Sequence, residues 1–314
     1  MRQPNCYVMV VIMILIVSMT CMVTIASAQD VHSDRSSIQA LLVSGNDNAL
    51  GGSENLSSFK LVLGGTNPET CLGLNLTVRN TLSSETDLRS AKLLIIDMPS
   101  STTIPNSTII RQFLGDGGSL FLISDYNGGG VRNCSSYLNE ILSESGIGNV
   151  TFSNDAISIS NSSPYWQTET FANNSFAVRV NSSMFQLLPP AQSIIGGLTD
   201  VVILSCGLNI SNQNDASFVG LASAQSDSGL KDWLLMVDNG RNRSVLCGSA
   251  SMFNNTYLSA ENNQVLLKNL VLWLVQKFQV SPPPVSTYMA LTSSAIAVIG
   301  IVIYIVYTKR RTPA

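Results

Sequence analysis

Short apolar runs alternate with polar, glycine-bearing segments through the middle of the chain. A short apolar run lies at Ile38–Val43. The continuous apolar run Leu93–Asp97 has the length of a strand buried on both faces, and Leu120–Ser124 predicts the next buried strand. Between them, the segments Asn55–Leu63 and Pro105–Leu114 have apolar residues at helical spacing. Alternation of this kind is typical of βαβ units, so we predict an α/β fold with a flavodoxin-like or amidotransferase-like, mostly parallel sheet flanked by helices.

The pattern changes after Gly148. A helix predicted at Cys134–Glu144 closes the alternating half, and a strongly apolar helix is predicted at Asn263–Phe278, packed on the sheet. Between these two helices the apolar runs come without intervening helical segments, which predicts additional, partly antiparallel strands. These runs are Ala156–Ser160, Ala177–Val180, Val201–Ser205, Phe218–Ala222 and Trp233–Val237. The run that follows them, Ser244–Gly248, predicts another core strand.

Two long apolar runs near the ends of the chain predict a leader and a membrane span. Tyr7–Ile25 follows a basic residue and precedes Ala-Ser-Ala, as in a cleaved signal peptide, although its length also suits an uncleaved anchor. Tyr288–Tyr307 has no charge over about 30 Å of helix, which favours a transmembrane helix over a buried core helix. The predicted order is signal peptide 1–28, α/β domain 29–280, proline-rich spacer 281–287, transmembrane helix 288–307 and basic tail 308–314.

The distribution of charge predicts the orientation of this span. All 20 acidic residues lie between Asp30 and Glu261, whereas Lys309, Arg310 and Arg311 follow the second apolar run directly. Because positive residues stay on the cytoplasmic side, we expect a single-pass type I protein with its main domain extracellular or lumenal. With a net charge of −3 and no other basic run, the composition argues against nucleic acid as a partner.

Glycosylation motifs and cysteines agree with an oxidising, extracytoplasmic compartment. Four cysteines outside the first apolar run predict two disulfides of undetermined pairing, and they are Cys71, Cys134, Cys206 and Cys247. Eleven Asn-x-Ser/Thr motifs predict a glycosylated surface. Their asparagines are Asn55, Asn75, Asn106, Asn133, Asn149, Asn161, Asn173, Asn181, Asn209, Asn242 and Asn254.

Candidate chemistry is sparse. The single histidine, His32, lies just after the predicted cleavage site, so neither a histidine-dependent triad nor a histidine zinc site is expected in the domain, and no metal or cofactor is predicted. Asp97 and Asp125 stand at the predicted carboxyl ends of strands, where open α/β sheets form their ligand crevice. Aspartates at such positions more often cap the following turn, which is the interpretation we favour over catalysis. The full candidate crevice comprises Asn46, Asp47, Asp97, Ser124, Asp125, Gly248 and Ser249.

Three stretches resemble a known family. Ser36–Gly45 matches a first strand, Leu93–Ile123 matches a strand-helix-strand unit, and Arg243–Val280 contains Gly-Ser-Ala-Ser-Met-Phe before an asparagine-led helix. Together they resemble the N-terminal domain of the non-catalytic, single-span subunit of eukaryotic oligosaccharyltransferase. That domain is similar to class I glutamine amidotransferases without their catalytic triad, and related domains occur in transporter accessory proteins and intraflagellar transport subunits.

The resemblance implies a non-enzymatic, membrane-anchored subunit that supports protein N-glycosylation beside an integral-membrane partner, such as a glycosyltransferase catalytic subunit. The family's subunit carries a second β-rich domain before its span, whereas here the spacer at Ser281–Val285 leads straight into the apolar run. Contacts made by that domain are therefore not transferred. Two alternatives stay open: a ligand- or partner-binding module of a transporter or cell-surface complex, and a hydrolase that uses Asp47, Asp97 or Asp125.

Overall fold

A computed structural model describes most of the chain between residues 35 and 278. The predicted signal peptide, spacer, transmembrane helix and basic tail lie outside the described residues. Within the described part, no helix combines the length and apolar character needed to cross a bilayer. The described residues are 35–44, 57–67, 69–97, 103–104, 106–125, 134–147, 149–172, 174–189, 191–212 and 215–278.

The first half alternates strands and helices, as predicted. Its elements are β1 (Gln39–Ser44), α1 (Ser57–Gly64), β2 (Asn75–Arg79), β3 (Leu93–Asp97), α2 (Thr108–Gly115), β4 (Ser119–Ile123) and α3 (Cys134–Ser145). Every residue of β3 and β4 is buried, which explains why both strands are continuous apolar runs. Helix α2 instead buries one face, formed by Ile109, Ile110, Phe113 and Leu114, and it contacts α3.

The second half is mainly strands, with one long helix at its end. These elements are β5 (Val150–Ala156), α4 (Trp166–Glu169), β6 (Thr170–Phe171), β7 (Asn174–Asn181), β8 (Phe185–Leu187), β9 (Asp200–Ile203), β10 (Cys206–Ile210), β11 (Phe218–Ser226), β12 (Gly229–Asp238), β13 (Arg243–Cys247) and α5 (Asn263–Val275). Helix α5 is buried along most of its length, including Trp273, and it contacts β4, β9 and β13. Its apolar composition therefore reflects burial, as predicted.

A mixed sheet of ten strands organises the domain. Strands β2, β1, β3, β4 and β13 are parallel and adjacent in that order. Strand β12 then pairs antiparallel with β13, and β10, β5, β11 and β8 extend the antiparallel part. A separate three-stranded sheet contains β6, β7 and β9. The predicted mixed α/β architecture, with a mostly parallel centre and partly antiparallel additions, is thus confirmed.

Two details of the sequence-based prediction are wrong. The strand expected at Ala156–Ser160 is instead β5, which ends at Ala156; the following Ile157 and Ile159 are buried in irregular backbone bonded to Ser205 and Ser175 carbonyls. The apolar residues after Ala156 are therefore buried without forming a strand. The prediction also misses strands β2, β6, β8 and β10 and the short helix α4. Strand β2 lies at the edge of the described sheet and exposes most of its residues, so it has no apolar run.

Candidate functional site

The parallel register brings most of the predicted crevice residues to one edge of the sheet. Ser44 at the end of β1 lies beside Asp97 at the end of β3, which in turn lies beside Ile123, the last residue of β4. Cys247 ends β13 beside the same Ile123. The residues that follow these strands therefore meet at this edge: Ser124 and Asp125 after β4, and Gly248 and Ser249 after β13. We call it the carboxyl edge; Asn46 and Asp47 lie outside the described residues.

Asp97 occupies the point where the strand order reverses between β1 and β3. In open α/β sheets, this switch point is where ligands usually bind. Here the Asp97 side chain is fully buried, and the Ser44 hydroxyl donates to its Oδ2 at 3.2 Å. The carboxylate therefore joins the ends of two neighbouring strands.

Asp125 holds the turn that follows β13. Its Oδ2 accepts hydrogen bonds from the Ser251 backbone N–H, at 3.1 Å, and from the Ser251 hydroxyl. The neighbouring Ser124 carbonyl accepts from the Ala250 N–H at 2.6 Å. Ser251 begins a 3-10 turn, Ser251–Phe253, so Asp125 satisfies a donor at the start of that turn. The partner in these bonds is not the turn directly after β4, which the sequence-based interpretation expects the aspartate to cap, but a turn 126 residues farther along the chain.

Gly248 and Ser249 connect this edge to the segment between β9 and β10. The Gly248 N–H donates to the Trp233 carbonyl at 2.8 Å, and its own carbonyl accepts from the Cys206 N–H at 2.9 Å. A Cβ atom at residue 248 would lie 2.2 Å from the Cys206 carbonyl oxygen, so only glycine fits between these backbones. The Ser249 hydroxyl accepts from the Leu204 N–H at 3.0 Å.

Several residues that matter at this edge could not be expected from sequence alone. Ser251 is the partner of Asp125 at a separation of 126 residues. Asn263, at the start of α5, is fully buried, and its amide bonds both the N–H and the carbonyl of Val202 at 2.8 Å. The same amide donates to the Met252 and Tyr257 carbonyls, at 3.3 and 2.9 Å. Asn263 thus ties the second sheet to the turn beyond β13.

The polar side chains of the carboxyl edge are buried and bond neighbouring segments of the domain to one another. Asp97 and Asp125 are both buried and accept bonds from serine hydroxyls, and the described residues include no group of three or more metal-binding side chains. Burial raises the pKa of the Cys247 thiol well above its usual range, so this thiol stays protonated and is a poor nucleophile at neutral pH.

The predicted cysteines and sequons take the following places. Cys71, Cys206 and Cys247 are buried thiols in the structure, while Cys134 begins α3 and its side chain lies outside the described part. The disulfide pairing therefore stays a prediction. Asn55, Asn133 and Asn173 lie outside the described residues. Six sequon asparagines are exposed, namely Asn75, Asn106, Asn149, Asn161, Asn181 and Asn209, and two are half-buried, namely Asn242 and Asn254.

Comparison with known proteins finds likeness in the fold. No protein-family model and no curated protein sequence matches the chain. Among solved structures, the mmIFT52 N-terminal domain is 16% identical with a TM-score of 0.52, covering 75% of this chain and 96% of that one. A ThuA-like protein from Bacteroides uniformis is 12% identical with a TM-score of 0.46, covering 79% and 95%. The carbohydrate deacetylase Agd3 is 10% identical at 0.43, covering 76% and 32%. At these identities, the mmIFT52 match shows a shared fold.

Proposed function

We propose that this chain is a non-enzymatic, membrane-anchored subunit that supports oligosaccharide transfer to asparagine. In this proposal residues 288–307 span the membrane and the α/β domain lies on the extracellular or lumenal side. The observation that carries the proposal is that the polar side chains described at the carboxyl edge are buried. The edge at which α/β enzymes assemble reactive groups is here occupied by buried side chains that bond to neighbouring segments of the same domain.

The sheet supports the finer, amidotransferase-like assignment of the fold. Numbered along the chain, the five parallel strands have the order 2-1-3-4-5, which is the flavodoxin-like order of doubly wound sheets. The N-terminal domain of mmIFT52 has a similar fold over most of its length. The resemblance to the oligosaccharyltransferase subunit also includes the Gly248–Phe253 block, whose backbone and side chains form the junction at the carboxyl edge.

The burial of the candidate reactive groups among the described residues supports a non-enzymatic role. An acid–base pair of carboxylates needs to reach the substrate, but Asp97 is fully buried and Asp125 is 5% exposed. Ser249 is also buried, and its hydroxyl accepts a backbone hydrogen bond. A protonated Cys247 thiol does not replace the cysteine nucleophile of the catalytic relatives.

The exposed sequons support the proposed compartment. Six of the eight described sequon asparagines are exposed, so glycans can be attached without unfolding the domain. Asn242 differs, because it is half-buried and its Nδ2 donates to a backbone carbonyl, that of Leu114, at 3.3 Å, whereas the Nδ2 atoms of exposed Asn149 and Asn181 donate to surface carboxylates. We therefore expect glycans at the exposed positions and an unmodified Asn242, as peptide mapping after glycosidase treatment would show.

A second candidate is a binding module, favoured by the location of Asp97 and Ser44 at the switch point of the sheet. This candidate predicts a small ligand that raises the melting temperature of the full chain in a thermal-shift screen. The Ser44→Ala variant should then reduce the ligand-induced shift. The first candidate predicts no such ligand-dependent shift.

Purification of the full chain tests the first candidate. An epitope-tagged chain is extracted with a mild detergent from cells that make it, and the proteins that copurify are identified by mass spectrometry. A similarly tagged, unrelated single-span protein is the control. We expect a multi-span glycosyltransferase subunit to copurify with this chain and not with the control. A chain recovered without such a partner would overturn the proposal.

A further inference from the structure

Strand β2 is the outermost strand at one side of the ten-stranded sheet. It pairs with β1 and, among the described residues, with no other strand. Four of its five residues are exposed, and Leu76 is half-buried. The Asn75 N–H donates to the Ile38 carbonyl at 3.0 Å, which fixes the residues that face β1. Because alternate residues of a parallel pair face the neighbour, the backbone N–H and C=O groups of Leu76 and Val78 point to the open side.

Apolar side chains flank this open side. A Cβ atom at residue 64 of α1 would lie 3.4 Å from the Leu76 Cβ, so the Leu76 side chain is on the α1 face of the sheet. Val78, two residues farther along β2, is on the same face and is 36% exposed. Together with exposed Leu61 of α1, both side chains line a groove of about 540 Å³. An open strand beside exposed apolar side chains is a template for pairing with another chain.

The sequence of β2 lacks the usual features that protect an outermost strand. Such strands are commonly protected by proline, by a bulge or by several charges. Strand β2 has no proline, it pairs with β1 in continuous register, and its one charged residue is Arg79. Its first residue, however, is the exposed asparagine of the sequon Asn75-Leu76-Thr77. A glycan on Asn75 would therefore be attached to the open strand itself.

The residues of β2 match those of a second copy of the same strand. An antiparallel pair with its two-fold axis at Thr77 places Leu76 opposite Val78 of the second copy, and Thr77 opposite Thr77. The same register places Asn75 opposite Arg79, so like charges do not face each other. Because the outward backbone groups belong to Leu76 and Val78, each of these apolar pairs exchanges both of its hydrogen bonds.

We propose that β2 is a self-association surface that fits a second copy of this chain, and that an N-glycan on Asn75 keeps this surface closed. Side chains alternate along a strand, so Asn75 and Thr77 share the face opposite to α1. The glycan leaves the sheet there, beside the position of the second strand, and its bulk and hydration oppose the approach of another backbone. The shielding rests on the proposed extracellular or lumenal location, where sequons are glycosylated.

A cysteine at the two-fold axis tests the pairing. The double variant Asn75→Gln/Thr77→Cys removes the sequon and places two thiols opposite each other, with Cα atoms about 4.5 Å apart, within reach of a disulfide. The full chain is purified in a mild detergent from cells that glycosylate it, oxidised with glutathione disulfide and mapped by mass spectrometry without reduction. We expect a disulfide between residues 77 of two copies in most of the protein.

Two further variants control for chance collisions, after circular dichroism has shown that each is folded. In Asn75→Gln/Arg79→Cys the glycan is also absent, but the two thiols are about 14 Å apart in this register, so no disulfide is expected. Adding Val78→Pro to the first variant removes an outward N–H, a change that outermost strands tolerate, and should abolish the cross-link. Equal cross-linking in all three variants would contradict the proposed pairing.

Removal of single glycans tests the shielding. The wild-type chain, Asn75→Gln and Asn209→Gln are compared at equal concentration by sedimentation velocity in detergent. Asn209 is the control because it is an exposed sequon asparagine in β10, which pairs with both β5 and β12. We expect the dimer fraction to rise about fivefold or more in Asn75→Gln and to stay at the wild-type level in Asn209→Gln. A monomeric Asn75→Gln chain would overturn the proposal.

The outcomes also separate this inference from the proposed function. Glycans at other sequons but none at Asn75 would overturn the shielding alone. A chain without a glycan at any sequon would contradict the proposed location, whereas a cross-link at residue 77 in that chain would still support the self-association surface. The copurification of a glycosyltransferase subunit is independent of either result.

Discussion

The two edges of the same parallel sheet use polar residues in opposite ways. At the carboxyl edge, Asp97, Asp125 and Ser249 are buried and bonded to other segments of the domain. At the amino edge, Lys92 immediately precedes β3, its side chain is exposed, and its Nζ lies 5.9 Å from the centroid of the Phe278 ring. The described residues of the carboxyl edge therefore bond segments of the domain to one another, whereas Lys92 at the opposite edge presents its charge to solvent.

Burial explains why the two edges should respond differently to substitution. A buried polar group that loses its partner costs about 1–3 kcal/mol, because neither water nor another protein group replaces the lost bond. Exposed charges contribute little to the free energy of unfolding, typically within about 0.5 kcal/mol. We therefore expect substitutions at the carboxyl edge to lower stability, and substitutions of exposed side chains at the amino edge to leave it nearly unchanged.

The largest expected effect is that of Gly248→Ala. The added Cβ would lie 2.2 Å from the Cys206 carbonyl oxygen and 2.6 Å from the Ser205 hydroxyl, so the two backbones have to separate. We expect the free energy of unfolding, measured by urea denaturation, to fall by about 3 kcal/mol or more. Gly115→Ala at the end of α2 is the matched control, because nothing lies within 4 Å of its added Cβ. A loss at residue 248 no larger than at residue 115 would contradict the close packing of this edge.

Asn263→Ala is expected to have the next largest effect. The substitution removes an amide that bonds Val202 on both sides and also bonds the Met252 and Tyr257 carbonyls, all within the buried interior. The free energy of unfolding should fall by about 2–3 kcal/mol.

Asn269→Ala, farther along the same helix, provides the control for that measurement. Its half-buried amide donates to two carbonyls near the surface, those of Ile194 and Gly196. We expect a loss of about 1 kcal/mol or less, since water can replace these bonds. Equal losses for the two asparagines would show that Asn263 does not join the second sheet to the carboxyl edge.

Asp125→Ala compares the two edges directly. Removal of the carboxylate leaves the Ser251 N–H without this acceptor, so the free energy of unfolding should fall by about 1–2 kcal/mol. Asp125→Asn keeps one acceptor oxygen and should lose about half as much. Lys92→Ala at the amino edge should change stability by less than about 0.5 kcal/mol. If Lys92→Ala destabilised the protein as much as Asp125→Ala, the proposed division between the edges would be wrong.

The smallest expected effect is a dependence on pH that comes from Lys277. In the folded protein its pKa is about 8, below the ordinary 10.5, because burial disfavours the charged amine. Between these two values the unfolded chain binds the proton more tightly, so the free energy of unfolding should rise as pH increases through this window. The rise should be smaller in Lys277→Gln, as urea denaturation of both proteins from pH 7.5 to 10 would show. Identical pH profiles would contradict the burial of this amine.

Most of the parallel half could be predicted from the sequence, because a strand that is buried on both faces is a continuous apolar run. The strand Leu93–Asp97 was predicted with its exact bounds, and the aspartates were correctly placed at strand ends. Strand β2 has no such apolar run, because it lies at the sheet edge and exposes most of its residues. The strand predicted at Ala156–Ser160 failed for the opposite reason, since buried isoleucines there belong to irregular backbone.

The partners of the site residues could not be predicted for a different reason. Asp125 bonds Ser251, and Asn263 bonds Val202, across separations of 126 and 61 residues. Such pairs depend on the packing of the turn after β13 against the second sheet. A local sequence pattern does not predict this long-range packing. Lys92 and Phe278 are likewise brought together by the order of the parallel strands and the position of the last helical turn.

The most direct test of the central claim is the glycan occupancy of a reporter glycoprotein in cells depleted of this chain. The wild-type chain and an Asp97→Asn/Asp125→Asn variant, produced at equal abundance, are compared with a form that ends at residue 280. We predict that the doubly substituted chain restores occupancy as well as the wild type, and that the form lacking residues 281–314 does not. Failure of the doubly substituted chain to restore occupancy at wild-type abundance would contradict a purely structural role for the carboxyl edge.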